Sequence, residues 1–472
     1  MKKITIILVF TAMFIQASAI QQIRWGSTGD PLNGLTITWR NTGTHDSIQW
    51  GYTSSMTNGS FAGVMRNGYA DYLFSYLFPS VTANSTIYYK IFDSNTGSWG
   101  TQMTFKTAPP VDTKIYTFLA LGDSRTNMTP WSQIANLCNS KHADFSIFSG
   151  DLVDDGADDS DWDDWFDNAV QYLQNSLNYY CIGNHDADDT STFVNNFTMP
   201  MANSSKMHYS VTYGNAIFIC MTTEDTTTEE YNWLVSTLQA NQSKTWKVVF
   251  FHRPFFTIGP HAGEMNGELS TWWAAFDTYG VDLVLNGHDH MYERSKPINY
   301  TLSPNAPVAQ YGSGPGQGRC EIVSGGAGAP LYTGTPAWFT QTYQSAYNFC
   351  TLSVNDCTVT DSTFDNNGAL IETFSLNKCN TGIENKTQMM NPMTCIPNPS
   401  MGSFTLYYRS SLNGVATITV TDLHGKMVQQ EQVQKAQYEL EYKIDLSKQA
   451  KGFYLVQVEV GGQKNSVKIE VK

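Results

Sequence analysis

The chain has 472 residues, 41% of them hydrophobic, which is enough for two or three domains with cores of their own. Its formal charge is −14, so the surface offers no basic field for nucleic acid or an anionic lipid surface. An anionic ligand would have to be drawn by something local.

Residues 1–19 carry Lys2 and Lys3, an apolar run over 4–14 and then Ala17-Ser18-Ala19, the pattern of a signal peptide. The apolar run is too short to span a bilayer and no other long uncharged run follows, so no integral membrane segment is expected after its removal. Eight cysteines in an exported chain can form disulfides. Cys379 and Cys395 flank a polar linker, Cys350 and Cys357 could close a hairpin, and Cys181 and Cys220 in apolar strands read as buried thiols.

Residues 20–109 alternate apolar and polar, as in Leu35-Thr36-Ile37-Thr38-Trp39, between turns rich in Gly, Asn and Ser. This predicts a β-sandwich of about seven strands without a catalytic cluster. From Lys114 strands alternate with helical patterns, at 115–121, 145–149, 179–182, 216–221, 247–251 and 281–285 for strands and 130–138, 161–177, 229–241 and 269–279 for helices. The segment 320–376 returns to short strands and completes a domain over 110–377, followed by a linker at 378–394 and a second all-β pattern over 395–472. The expected class is α/β, layered βαβ with mixed sheets, flanked by two all-β sandwiches.

Polar clusters stand at the ends of five of the six strands. They are Gly122-Asp123-Ser124-Arg125, Gly150-Asp151-Leu152-Val153-Asp154, Gly183-Asn184-His185-Asp186, Phe251-His252-Arg253-Pro254 and Gly287-His288-Asp289-His290. A single Gly-Asp after a strand is usually a turn and helix cap. Two carboxylates, an amide oxygen and three imidazoles converging at the carboxyl ends of strands would instead hold two metal ions sharing one carboxylate. Read as an extended segment, 288–290 points both imidazoles the same way and turns Asp289 elsewhere.

The order of these clusters resembles the calcineurin-like metallophosphoesterases. Gly287-His288-Asp289-His290-Met291-Tyr292-Glu293-Arg294, with the leading sandwich, resembles the purple acid phosphatase branch and its fibronectin type III-like domain. The resemblance covers about 20–376. It implies one metal on Asp123, Asp151 and His290, and a second on Asp151, Asn184, His252 and His288, with Asp151 bridging. The ions would be iron, zinc or manganese. A hydroxide bridging them would attack phosphorus in line, with His185 as the acid for the leaving group and Asp186 to orient it. His261, nine residues after His252, matches a substrate-contacting histidine. The family often has a second histidine directly after it, but here that place is Ala262, so phosphate contact would be shared with Arg125 or Arg253.

The chain departs from the pattern at two places. The family's iron-binding tyrosine corresponds to Asp154, so the purple colour should be missing. Other members place a histidine where Arg125 stands, which leaves the first metal with water or Asp154 as its fourth ligand. In the last region, Pro397-Asn398-Pro399-Ser400-Met401-Gly402, Asp422-Leu423-His424-Gly425-Lys426 and Lys451-Gly452-Phe453-Tyr454 resemble the type IX secretion sorting domain. That implies the type IX machinery as partner and passage through the periplasm to the medium or surface of a Gram-negative bacterium, with a second adhesive sandwich as the alternative.

The expected function is a secreted phosphatase acting on a small phosphomonoester. A phosphodiesterase or nucleotide hydrolase on the same site, or an inactive surface binding protein, are the alternatives.

Overall fold

The computed structural model describes residues 20–67, 72–200, 207–314, 316–379, 393–409, 412, 414–436 and 439–472. The expected signal peptide and most of the expected linker lie outside the described residues. The chain forms two compact units, Met1–Cys379 and Asn380–Lys472.

Among its described residues, the first unit opens with two antiparallel sheets built from nine strands between Gln21 and Lys106, rather than about seven. Trp25 stacks on Phe105 and Trp39 on Phe74 in its interior. The sandwich continues into the next layer. Trp25 Nε1 donates to the Gln174 carbonyl at 3.0 Å and Arg24 Nε to the Asn196 carbonyl at 2.5 Å, and the hydrophobic core runs unbroken from Ile23 to Leu376.

Two mixed sheets form the α/β part. In the first, Ile115–Leu121 pairs in parallel with Phe145–Ser149, and that strand with Asn178–Cys181. On its other side Ile115–Leu121 meets Asn348–Asn355 in antiparallel fashion. The second has Ala216–Cys220, Trp246–Phe250, Leu283–Asn286 and Cys320–Ser324 in parallel. Each of these strands is buried throughout, as expected when both faces are covered. The exceptions are Ile115 and, in Asn348–Asn355, Ser353 and Asn355, which reach solvent.

Between the sheets, Phe118 meets Phe218 edge to face at 5.1 Å and Phe145 meets Tyr213 at 4.5 Å. Met128–Lys141 and Asp159–Asp167 bury Trp131, Trp162 and Trp165 against the first sheet, while Asn266–Tyr279 buries Trp272 and Trp273 beside Phe255, in the loop after Trp246–Phe250. Parallel strands with helices between them put all strand ends of one polarity at one edge of the domain. That edge carries the five clusters.

Three expectations change. The helical pattern at 161–177 is two helices, Asp159–Asp167 and Val170–Asn175, because Asn168 and Ala169 interrupt the ladder. Thr190–Asn196 is a short helix that the sequence did not suggest, capped by Asp189. Cys357 pairs with Cys379, while Cys350 and Cys395 are buried free thiols. The disulfide ties the entry of Thr358–Asp365 to the exit of Leu370–Asn377, which antiparallel pairing brings side by side. Cys181 and Cys220 are buried thiols as expected.

The second unit, taken by itself, has a three-stranded and a four-stranded antiparallel sheet around Phe404, Leu406, Ile418, Val456, Val458 and Ile469. His424 sits exposed in a turn fixed by Asp422. Among the described residues no helix is long and apolar enough to cross a membrane.

Candidate metal centre

Asp123, Asp151 and Asn184 follow strands of the first sheet, and His252, His288 and His290 follow strands of the second. The site therefore sits on the seam where the carboxyl ends of both sheets meet. Close approach of the loops sets the demand for glycine. Gly150 has φ +92°, and a Cβ there would lie 2.7 Å from His252 Nδ1; a Cβ on Gly183 would lie 2.2 Å from Asp151 Oδ1.

Three of the expected ligands are themselves in the left-handed region, Asp123 at φ 58°, Asp151 at 53° and His288 at 67°. Such conformations cost a non-glycine residue of order 1 kcal/mol each and persist where the surroundings impose them. The extended reading of 288–290 is corrected here. The strand stops at Asn286, and the bend at His288 sends the two imidazoles to different places.

Each histidine ring is anchored through one nitrogen, which decides what the other presents. His252 Nδ1 faces the Ser149 carbonyl at 2.8 Å and His290 Nδ1 the Pro330 carbonyl at 2.7 Å, leaving both Nε2 atoms for the site. His288 is turned the other way: its Nε2 faces Glu264 Oε2 at 3.0 Å, leaving Nδ1 3.1 Å from His252 Nε2. Carboxylate or carbonyl partners on the outer nitrogen are what metal-ligating imidazoles require.

Asp151 presents its oxygens in two directions. Oδ1 lies 3.3 Å from His252 Nε2 and takes the His185 amide hydrogen at 3.0 Å; Oδ2 lies 3.3 Å from Arg125 Nε. Asn184 Oδ1 is 3.1 Å from His252 Nε2. Asp123 takes the His288 amide hydrogen on Oδ2 at 2.8 Å, and its buried Oδ1, 3.5 Å from His290 Nε2, has no hydrogen-bond partner. Asp151, His252 and His288 form one group close enough to share an ion, and Asp123, Asp151 and His290 another. An orphaned buried carboxylate oxygen, two converging donor sets and a shared aspartate fit a pair of divalent ions.

The electrostatics are those of buried charges pressed together. Burial pushes the Asp123 carboxyl well above its usual range, with Asp151 adding to the shift. Burial also acts to raise Asp151, but the charge of His252 and its hydrogen bond outweigh it and hold Asp151 low. Burial would lower His252, yet Asp151 raises it to about 10. His290 is lowered to about 4, chiefly by burial.

The remaining expected residues are placed as follows. His185 Nδ1 donates to the Asp154 carbonyl at 2.6 Å, and its Nε2 looks toward Asp151 Oδ2 at 4.0 Å. Asp186 does not orient it. That carboxylate is fully buried and takes amide hydrogens from Leu152, Val153 and Gly183, so it pins the second and third loops together; burial, then Asp151, raises it to about 7. The Asp154 carboxylate is about half exposed and is held by Arg125 Nη1 at 2.5 Å and Thr126 Oγ1 at 2.8 Å, outside both ligand groups. His261 reaches the site, its ring 4.1 Å from that of His288, with Nδ1 2.8 Å from Asp289 Oδ1.

Four contributors escaped the sequence. Glu264 holds His288, and Glu264 together with Glu224 grips Arg253. Asp289, buried, takes the Thr257 hydroxyl at 2.6 Å and steadies His261. Tyr332 stacks on His290 with centroids 4.2 Å apart. The spacing of Glu264 from His261 is the one signal that could have singled any of them out.

A calcineurin-like phosphoesterase model matches residues 116–292, and a secretion system C-terminal sorting domain model matches residues 394–472. Fe(3+)-Zn(2+) purple acid phosphatase 12 of Arabidopsis thaliana is 27% identical over 55% of this chain and 58% of its own. Phosphoenolpyruvate phosphatase of Allium cepa is 26% identical over 59% of this chain and 60% of its own. The chain thus spans less than two thirds of either relative. The structure of a purple acid phosphatase from yellow lupin (Lupinus luteus) seeds superposes with a TM-score of 0.65 at 18% identity, covering 76% of this chain and 74% of that one, which makes the fold common to both. The strand-end ligand clusters lie within the segment that matches a calcineurin-like phosphoesterase domain, residues 116–292, and residues 394–472 match a secretion system C-terminal sorting domain.

Proposed function

We propose that the protein is a secreted, metal-dependent phosphatase acting on small phosphomonoesters. The observation that carries this reading is the division of Asp151 between two donor groups, one with His252 and His288 and one with Asp123 and His290. Asn184 Oδ1 adds to the first of these. Iron, zinc or manganese ions held there polarise a phosphoryl oxygen and make water nucleophilic at neutral pH.

The chain's own residues would do the rest. His185, with Nδ1 fixed on the Asp154 carbonyl, turns Nε2 to the rim, where it would pass a proton to the leaving oxygen. The guanidinium of Arg125 and the Nε2 of His261 flank the ligand groups from two sides and would hold the phosphate oxygens. Buried walls keep these charges poorly screened, which explains how a chain of net charge −14 can attract an anion.

The sorting domain supports export or display at the cell surface, by way of the periplasm and the type IX machinery of a Gram-negative bacterium. The test is release of p-nitrophenol from its mono- and bis-phosphate esters by the metal-loaded protein. Monoester turnover supports the proposal. Preference for the diester moves it to the phosphodiesterases, and inertness toward both leaves a surface binding role.

A further inference from the structure

The two donor groups are not equally ready for an ion. Arg125 stands two residues beyond Asp123, and its guanidinium turns inward with only 13% of the side chain exposed. Nε is 3.3 Å from Asp151 Oδ2, Nη2 is 3.5 Å from His290 Nε2, and Nη1 is tied to Asp154 Oδ1. It thus faces two of the three donors of the Asp123 group and holds the residue expected as the fourth. Thr126, at φ 70°, braces the arrangement by taking Nη1 at 3.1 Å and giving its own hydroxyl to Asp154.

Arg125 touches the other group only at Oδ2 of the shared Asp151, while the oxygen facing His252 Nε2 is Oδ1. Arg253 reaches only the outer nitrogen of His288, at 3.4 Å, and its charge is matched by Glu224 and Glu264. A guanidinium stays ionised at any working pH and binds carboxylates as a fork. A divalent ion entering among Asp123, Asp151 and His290 would meet that fixed positive charge at contact distance, whereas an ion among Asp151, Asn184, His252 and His288 would not.

Resting on the metal centre proposed above, we infer that Arg125 stands in for the first ion's charge and makes the sites unequal. One ion binds tightly on the Asn184, His252 and His288 side. A second enters the Asp123 and His290 side weakly, and only as Arg125 gives way. At low metal supply the enzyme works with one ion and one guanidinium.

The test is a count of Mn²⁺ bound to the chelated full chain across a range of free metal, by equilibrium dialysis and elemental analysis. Wild type should take one ion tightly and a second at least about tenfold more weakly, a difference in the range that outer partners of metal ligands command. Arg125→Gln should take two ions of similar affinity, and Asp123→Ala in wild type should remove only the weak one. Arg125→Lys, a point charge without the fork, should fall between and serves if the Gln variant does not fold. Two equal ions or none in wild type, or an unchanged ratio of the two affinities in both Arg125 variants, would overturn the inference. Ester hydrolysis on the same samples is a separate readout: unequal sites with no turnover would sink the phosphatase reading alone, and turnover with two equal ions would sink this one alone.

Discussion

Replacing Asp151 by Asn removes one charge from the carboxylate common to both donor groups while keeping its shape. In the structure its oxygens lie 3.3 Å from His252 Nε2 and 3.3 Å from Arg125 Nε, and the residue is 1% exposed. A pair of unit charges at that separation is worth about 5 kcal/mol at an effective dielectric constant of about 20. Cutting one partner out of a buried pair costs about 3–5 kcal/mol. If about 4 kcal/mol of this is felt in the transition state, turnover falls about a thousandfold. The assay is hydrolysis of p-nitrophenyl phosphate by protein of known metal content, with wild type prepared in parallel. The variant should lose most of its bound metal as well as its rate, because one change strips charge from both groups. Turnover within a few-fold of wild type, or unchanged metal retention, would refute the sharing of Asp151.

Three further outcomes are expected. His185→Asn should slow esters with poor, alkyl leaving groups by about a hundredfold or more and p-nitrophenyl phosphate much less; equal losses would remove His185 as the acid. Iron-loaded protein should show no visible charge-transfer band, because Asp154 replaces the tyrosine and Tyr332 lies flat against His290 rather than end-on; a coloured preparation that bleaches in Tyr332→Phe would contradict this. Glu321 is buried under the loop bearing His261, taking the Phe255 and Phe256 amide hydrogens at 2.9 Å each, and burial, then Glu293, raises it to about 8. Below about pH 4 folded and unfolded chains both hold its proton, and between there and about pH 8 only the folded chain does, so its contribution to stability declines as pH rises through that window. Denaturant unfolding at pH 5 and pH 8 should show a smaller decline in Glu321→Gln, whatever its overall stability; parallel declines would argue against a neutral buried carboxyl.

Local pattern was enough to place the site. Apolar runs such as 145–149 and 247–251, each stopping at a glycine or histidine cluster, name a buried strand and the polar residues at its carboxyl end. Parallel strands must put those ends together. The six expected ligands Asp123, Asp151, Asn184, His252, His288 and His290 gather on one seam for that reason, and the core tryptophans of the helices follow from helical spacing in the same way.

What the sequence could not decide is which loop faces which across that seam. Asp186 and His185 are neighbours in the chain, yet the aspartate turns into the core to satisfy three amide groups while the histidine leans on the Asp154 carbonyl. Arg125 enters the first donor group only because Thr126 and Asp154, on separate loops, hold it there. Glu264 anchors His288 only because the loop after Trp246–Phe250 folds back over the seam. Cys357 finds Cys379 through the register of two antiparallel strands. Periodicity reports burial and direction along one segment, so it determined the fold class and placed the polar clusters at the strand ends, while the ligand assignment came from the resemblance to a known family. Contacts between segments depend on packing among all the loops at once, and only the tertiary structure decided the outer partners of the histidines and the place of Arg125 beside Asp151.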